Sequence, residues 1–151
     1  MPVQVAQPLG AARPFTPRRP GTAPADVRPV VFVVDDDICL RSLLGDWVEE
    51  AGYRAVLLEG GEACLCALAF ERPAAVILDL HMTGLSGAET LDFIRTADAT
   101  VPVIAVTAER DPVAALDLVA RGADEFLLKP VVPARLTRLL QSITGQPHSH
   151  A

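Results

Sequence analysis

The run VVFVVDDDICLRSLLGDWVEEAG, residues 30–52, carries the pattern that sets the fold. Val30-Val31-Phe32-Val33-Val34 is apolar at every position, so as a strand it has to be covered on both faces. Three aspartates, Asp35, Asp36 and Asp37, then stop it. Beyond them Leu40, Leu43, Leu44, Trp47, Val48 and Ala51 recur at helical spacing, and Gly52 is a natural helix stop. A two-sided strand followed at once by an amphipathic helix is half of a βαβ unit.

The same alternation continues downstream. A strand is expected over 54–58 and a helix over 61–71. Ala75-Val76-Ile77-Leu78 is a third apolar strand. Ser86 with Glu89 forms a capping box that opens a helix to about residue 96. A fourth strand over 101–106 and a helix over 112–121, closed by Gly122, follow. Glu125-Phe126-Leu127-Leu128 is the fifth strand, and Pro133 suits the first turn of a last helix carrying Leu136, Leu139, Leu140 and Ile143. Five βα units of this kind predict a doubly wound α/β fold on a five-stranded parallel sheet, with right-handed connections. In such sheets function gathers outside the carboxyl ends of the strands.

Composition narrows the class. The chain has 151 residues, half of them apolar, which is material for one domain with a real core. The net charge of −6 disfavours nucleic-acid binding, which requires a surplus of Lys and Arg against phosphates. No apolar run reaches the roughly 18 residues of a membrane span, and no signal peptide is legible, so a cytoplasmic protein without a membrane or nucleic-acid partner is expected. Three cysteines, an odd number in helix-like segments, argue for packing roles in a reducing compartment. Residues 1–28 hold six prolines and four arginines against one aspartate, and read as a disordered tail. The domain proper is expected over 29–145. Residues 146–151, with His148 and His150, read as a frayed end.

The strand ends carry the chemistry. The first ends in Asp35-Asp36-Asp37, the third in Asp79, the fourth in Thr107 and the fifth in Lys129-Pro130. Taken singly, an Asp run is a solvated turn and a Lys-Pro pair a loop boundary. Taken jointly, acids, a hydroxyl and an ammonium converge on one sheet edge from four different strands. Clustered carboxylates repel unless a cation joins them, and an all-oxygen donor set suits Mg²⁺. Asp79 is then a carboxylate nucleophile of the kind aspartyl-phosphate chemistry uses. Thr107 can hydrogen-bond a phosphoryl oxygen and Lys129 can pair with another.

With VVDDD at 33–37, VILDLHMTGLSG at 76–87, PVIAVTA at 102–108 and GADEFLLKP at 122–130, the chain resembles a response-regulator receiver domain of two-component signalling. The resemblance covers about residues 29–144 and implies the flavodoxin-like (βα)5 receiver fold. It implies Asp79 as phosphoacceptor, with Asp35, Asp36, Asp79 and the backbone carbonyl of His81 as ligands to Mg²⁺. It implies Thr107, Ala108 and Lys129 around the phosphoryl group, Thr107 and Phe126 as a switch pair, and a cis peptide before Pro130. His81 and Glu109 fall at positions that tune dephosphorylation. Asp37, Ile38 and Arg41 are expected to dock a histidine kinase or histidine phosphotransfer protein as phosphoryl donor. The chain departs from the family at Thr83, where Pro is usual, so a looser turn is expected there, and at Ile38 and His81.

Output is expected through an unknown downstream protein partner or by relay of the phosphoryl group, with no output domain in the chain; the chain as a fragment of a longer protein is the open alternative. A dehalogenase-like phosphatase is disfavoured, because its nucleophile follows the first strand. A partner-binding pseudo-receiver is disfavoured by the intact acids, Thr107 and Lys129. Dinucleotide binding lacks a G-x-G-x-x-G after the first strand.

Overall fold

The computed structural model describes residues 26–108 and 110–145. Five strands, β1 (Val30–Val34), β2 (Arg54–Leu58), β3 (Ala75–Asp79), β4 (Val103–Thr107) and β5 (Glu125–Leu128), alternate with five helices, α1 (Ile38–Glu50), α2 (Gly61–Leu68), α3 (Gly87–Ala97), α4 (Pro112–Ala120) and α5 (Pro133–Thr144). The sheet is parallel throughout, in the order β2-β1-β3-β4-β5. That order brings the ends of β1, β3, β4 and β5 side by side. No helix among the described residues is long and apolar enough to cross a membrane.

The pleat of each strand divides its apolar run between two cores. Val31, Val33, Ile77, Ile104 and Val106 pack with Leu44 and Val48 of α1 and Leu136 and Leu140 of α5. Phe32, Val34, Val76, Leu78, Val103 and Ala105 pack on the other face with Cys64, Leu91, Ile94 and Leu118 from α2, α3 and α4. Every residue of β3 and β4 is buried, which is why both read as continuous apolar runs.

Three helix starts are capped by side chains, of which Ser86 was the expected one. Asp37 accepts from the main-chain N–H groups of Cys39 and Leu40, Ser86 from Glu89, and Asp111 from Val113. Gly52 and Gly122 take φ of 98° and 101° just past α1 and α4. Arg28 donates to Asp26, to Glu49 of α1 and to the Tyr53 carbonyl, tying the lead-in segment to the body.

Some boundaries differ from the expectation. α2 ends at Leu68 rather than 71; Phe70 and Glu71 close turns onto the Ala67 carbonyl instead of continuing the helix. β4 begins at Val103 rather than 101, since Pro102 has no N–H to give the ladder, although its carbonyl accepts from Val76. β4 also runs on to Thr107. The packing role expected for all three cysteines holds for Cys64 alone, whose burial pushes its thiol up to about 12; Cys39 and Cys66 are exposed. The tail up to residue 25, Glu109, and the C-terminal segment with His148 and His150 lie outside the described residues.

Gly87, the first residue of α3, lies against the end of β3. A Cβ built there would fall 2.4 Å from the Asp79 carbonyl oxygen and 2.4 Å from the Leu80 Cα, both backbone atoms. We expect Gly87→Ala to cost about 1–3 kcal/mol, the range for overpacking a filled site, measured by denaturant unfolding. A neutral substitution would show that α3 is free to slide off β3.

Candidate phosphoacceptor site

Asp35 and Asp36 follow β1 directly, Asp79 is the last residue of β3, Thr107 the last of β4, and Lys129 follows β5. The parallel register sets their neighbours: Asp79 lies beside Val106, and Thr107 beside Leu128. The Lys129 N–H donates to the Thr107 carbonyl at 2.9 Å, so the last two strand ends are stitched together. The Lys129–Pro130 peptide is cis, as expected.

The carboxylates are close and differ in environment. One oxygen from each of Asp35, Asp36 and Asp79 lies within 4.8 Å of the other two. Asp35 is completely buried. Its Oδ1 accepts from the Asp37 N–H at 2.9 Å, while its Oδ2 is buried with no hydrogen-bond partner. Burial, more than the adjacent Asp79 charge, pushes the Asp35 carboxyl up to about 6, against the pull of the Asp37 N–H. Asp79 is 3% exposed, and its Oδ1 accepts from the His81 N–H at 3.1 Å and faces Lys129 Nζ at 3.2 Å. Asp36 is exposed, and its Oδ2 accepts from the Thr83 N–H at 2.9 Å and from the Thr83 hydroxyl at 3.0 Å. The Thr83 N–H, and then its hydroxyl, holds the Asp36 carboxyl below its usual range.

This donor set fits a hard divalent cation. It offers oxygen only, it gathers three acids where one ammonium is in reach, and it leaves a buried carboxylate oxygen unsatisfied.

The remaining expected residues that the structure describes fall at three places. Thr107 is 2% exposed, and its Oγ1 lies 3.5 Å from His81 Nε2, so the His81 ring leans over the strand ends. Ala108 is exposed beside it. Phe126 is half-buried in β5 and lines an apolar cavity of about 500 Å³ with Leu116 and Val119 of α4 and Leu128. Ile38, 65% exposed, and Arg41 line a concavity of about 440 Å³ with Leu57 and Glu59 at the start of α1. Asp37 is spent on capping α1.

Two local results go beyond the sequence reading. At Thr83 the main-chain N–H that a proline would lack, and the hydroxyl, both bind Asp36. Arg41 does more than face outward, because its guanidinium donates to the Asp35 carbonyl at 2.8 Å and braces the acidic loop.

Comparison with known proteins agrees with this geometry. The model of the response regulator receiver domain family matches residues 31–141. The chain belongs to that family. It is therefore a receiver domain of the two-component response-regulator type. It is 36% identical over 117 residues to the sensory/regulatory protein RpfC of Xanthomonas campestris, a match covering 75% of this chain and 16% of that protein. It is 31% identical over 116 residues to the transcriptional regulatory protein FixJ of Bradyrhizobium diazoefficiens, covering 77% of this chain and 57% of FixJ. The chain thus spans less than two thirds of either relative. Among solved structures, the Vibrio cholerae chemotaxis protein CheY4 superimposes with a TM-score of 0.73 at 27% identity, over 77% of this chain and 98% of CheY4. The receiver domain of the sensor histidine kinase PA1611 from Pseudomonas aeruginosa, with a magnesium ion coordinated in its active-site cleft, gives 0.72 at 25% identity over 79% and 99%.

The raised Asp35 carboxyl makes the metal-free protein sensitive to pH in a definite direction. Its folded value lies above the ordinary 3.8, so between the two the folded state holds a proton that the unfolded state has lost. The destabilisation from Asp35 is complete above about pH 6 and is relieved as pH falls toward 4. In chelator, Asp35→Asn should melt above wild type at pH 7.5, and the gap should narrow as pH falls to 5. A gap independent of pH would contradict the assignment.

Proposed function

We propose that the chain is a phosphorylation-controlled switch whose Asp79 accepts a phosphoryl group from a phosphohistidine of a histidine kinase or histidine phosphotransfer protein. The observation that carries this reading is the buried Asp79 carboxylate, facing Lys129 at 3.2 Å and flanked by two further acids. In the transfer, an Asp79 carboxylate oxygen forms a bond to phosphorus as the phosphorus–nitrogen bond of the donor breaks, and the departing imidazole retains or takes up the proton that keeps it neutral. Asp35, Asp36, Asp79 and the His81 carbonyl would hold Mg²⁺, which would supply positive charge against the carboxylate and phosphoryl oxygens. Lys129 exchanges its Asp79 partner for a phosphoryl oxygen, and the Thr107 hydroxyl donates to another. Chemistry of this kind regulates the chain itself and turns over no separate substrate.

The signal is then read on the face of α4, β5 and α5. As Thr107 moves toward the phosphoryl group, Phe126 turns inward and the apolar groove beside Leu116 and Val119 changes shape for a downstream protein partner. The phosphoryl donor approaches across Asp37, Ile38 and Arg41, with Ile38 as an exposed apolar anchor. A cytoplasmic setting is part of the same reading, since the kinases of two-component systems present their phosphohistidine there.

Intact mass after incubation with acetyl phosphate and Mg²⁺ tests the assignment. Wild type should gain one phosphoryl group and Asp79→Asn none. Retention of the adduct in Asp79→Asn would move the phosphoacceptor elsewhere.

Loss of the phosphoryl group by in-line attack of water should depend on His81, whose ring overhangs Thr107, and on Glu109. We expect His81→Ala and Glu109→Ala each to change the decay rate by about threefold to a hundredfold once donor is removed. Decay of both at the wild-type rate would place these side chains off the water path.

A further inference from the structure

We infer that Thr83 is a positioning residue for the metal site: it holds the Asp36 carboxylate, through its N–H and its hydroxyl, within ligand range of Asp35 and Asp79. The inference rests on the metal-binding reading of the acidic cluster. Asp36 is exposed, and nothing of the core packs its side chain in place. A carboxylate so free, next to two others, swings toward water to relieve repulsion. In the structure it does the opposite and stays within 4.8 Å of both acids. Two donors from one residue, at 2.9 and 3.0 Å, converge on a single oxygen, Oδ2, and leave Oδ1 without a restraint from Thr83.

The donors come from a distant part of the chain. Asp36 sits in the loop from β1 to α1, and Thr83 lies 47 residues on, in the loop from β3 to α3. That second loop is itself anchored, because Gly87 seats the start of α3 on the Asp79–Leu80 backbone and the His81 N–H is bound to Asp79. Thr83 therefore ties an exposed carboxylate to an anchored loop. The buried Asp35 Oδ2 has no partner, so a cation entering the cluster meets one oxygen fixed by burial and a second carboxylate, Asp36, whose Oδ2 Thr83 holds in place. Groups that orient metal ligands in this way commonly change affinity by ten- to a hundredfold, and the exposure of this pair puts the expectation lower, at about threefold to tenfold.

Titration calorimetry with Mg²⁺ on the full chain tests this. Wild type should bind Mg²⁺ and Asp36→Ala should bind it much more weakly; if wild type binds none, the metal reading fails and the role of Thr83 fails with it. Given that binding, Thr83→Val keeps the shape and the N–H but loses the hydroxyl, and should weaken Mg²⁺ by about threefold to tenfold with an unchanged melting temperature. Thr83→Ser should restore wild-type affinity, which a purely steric role for the threonine would not produce. Thr83→Pro removes both donors and should weaken binding at least as far as Thr83→Val. Wild-type or tighter binding in Thr83→Val would overturn the proposal while leaving the metal site intact, tighter binding meaning that Thr83 competes with the cation.

Discussion

Like charge held in a small volume is the constraint on which the rest of the molecule depends. Asp35, Asp36 and Asp79 repel one another, and without opposing forces the strand ends would splay or the side chains would turn to water. The fold answers each carboxylate differently. Asp79 has an ammonium and a main-chain N–H; Asp36 has both donors of Thr83; Asp35 has a single N–H and otherwise bears the cost as a raised affinity for its proton. The apolar cores on both faces of the sheet have to supply the stability that this arrangement consumes. The full burial of β3 and β4, the two strands nearest the centre of the site, is consistent with that demand.

The sheet order explains why distant residues can share the work. A parallel sheet in the order β2-β1-β3-β4-β5 sets four carboxyl ends in a row, and the chain visits them in the order acids, acid, hydroxyl, lysine. Each functional group therefore projects from a strand end whose position is fixed by buried neighbours rather than from a long loop. The exceptions are the exposed Asp36, in the loop after β1, and Thr83 and His81, in the loop after β3, which is bound back to Asp36 and Asp79.

Most of this was legible in the sequence because its physical causes are local or periodic. Apolar runs buried on both faces announce β1, β3 and β4, and the Ser86 and Pro133 positions announce helix starts, whereas the cap that Asp37 gives α1 was not read. Asp35, Asp36, Asp79, Thr107 and Lys129 were legible because each directly ends or follows a strand. What escaped depends on where a side chain meets a distant partner. The bond from Arg41 to the Asp35 carbonyl follows from the angle at which α1 leaves the loop, which composition does not encode. Thr83 was visible as a departure from the usual proline, but not its consequence, an N–H and a hydroxyl that meet a carboxylate 47 residues earlier. The cysteines divided by helix face: Cys64 points to the sheet, and Cys66, two residues on, cannot.

The same geometry links the charge centre to the surface of α4 and β5. Lys129 faces Asp79 with its side chain and holds Thr107 with its main chain, so a change in the charge at Asp79 bears on both strand ends together. Three residues earlier, Phe126 pairs in register with Ala105, whose methyl group is the smallest apolar side chain on β4. A larger residue there would crowd the space beside the ring. On its other side the ring borders the apolar groove next to Leu116 and Val119. The acidic cluster and the aromatic ring at the apolar groove are thus joined through two paired strand ends, by the Lys129–Thr107 main-chain bond and by the pairing of Ala105 with Phe126.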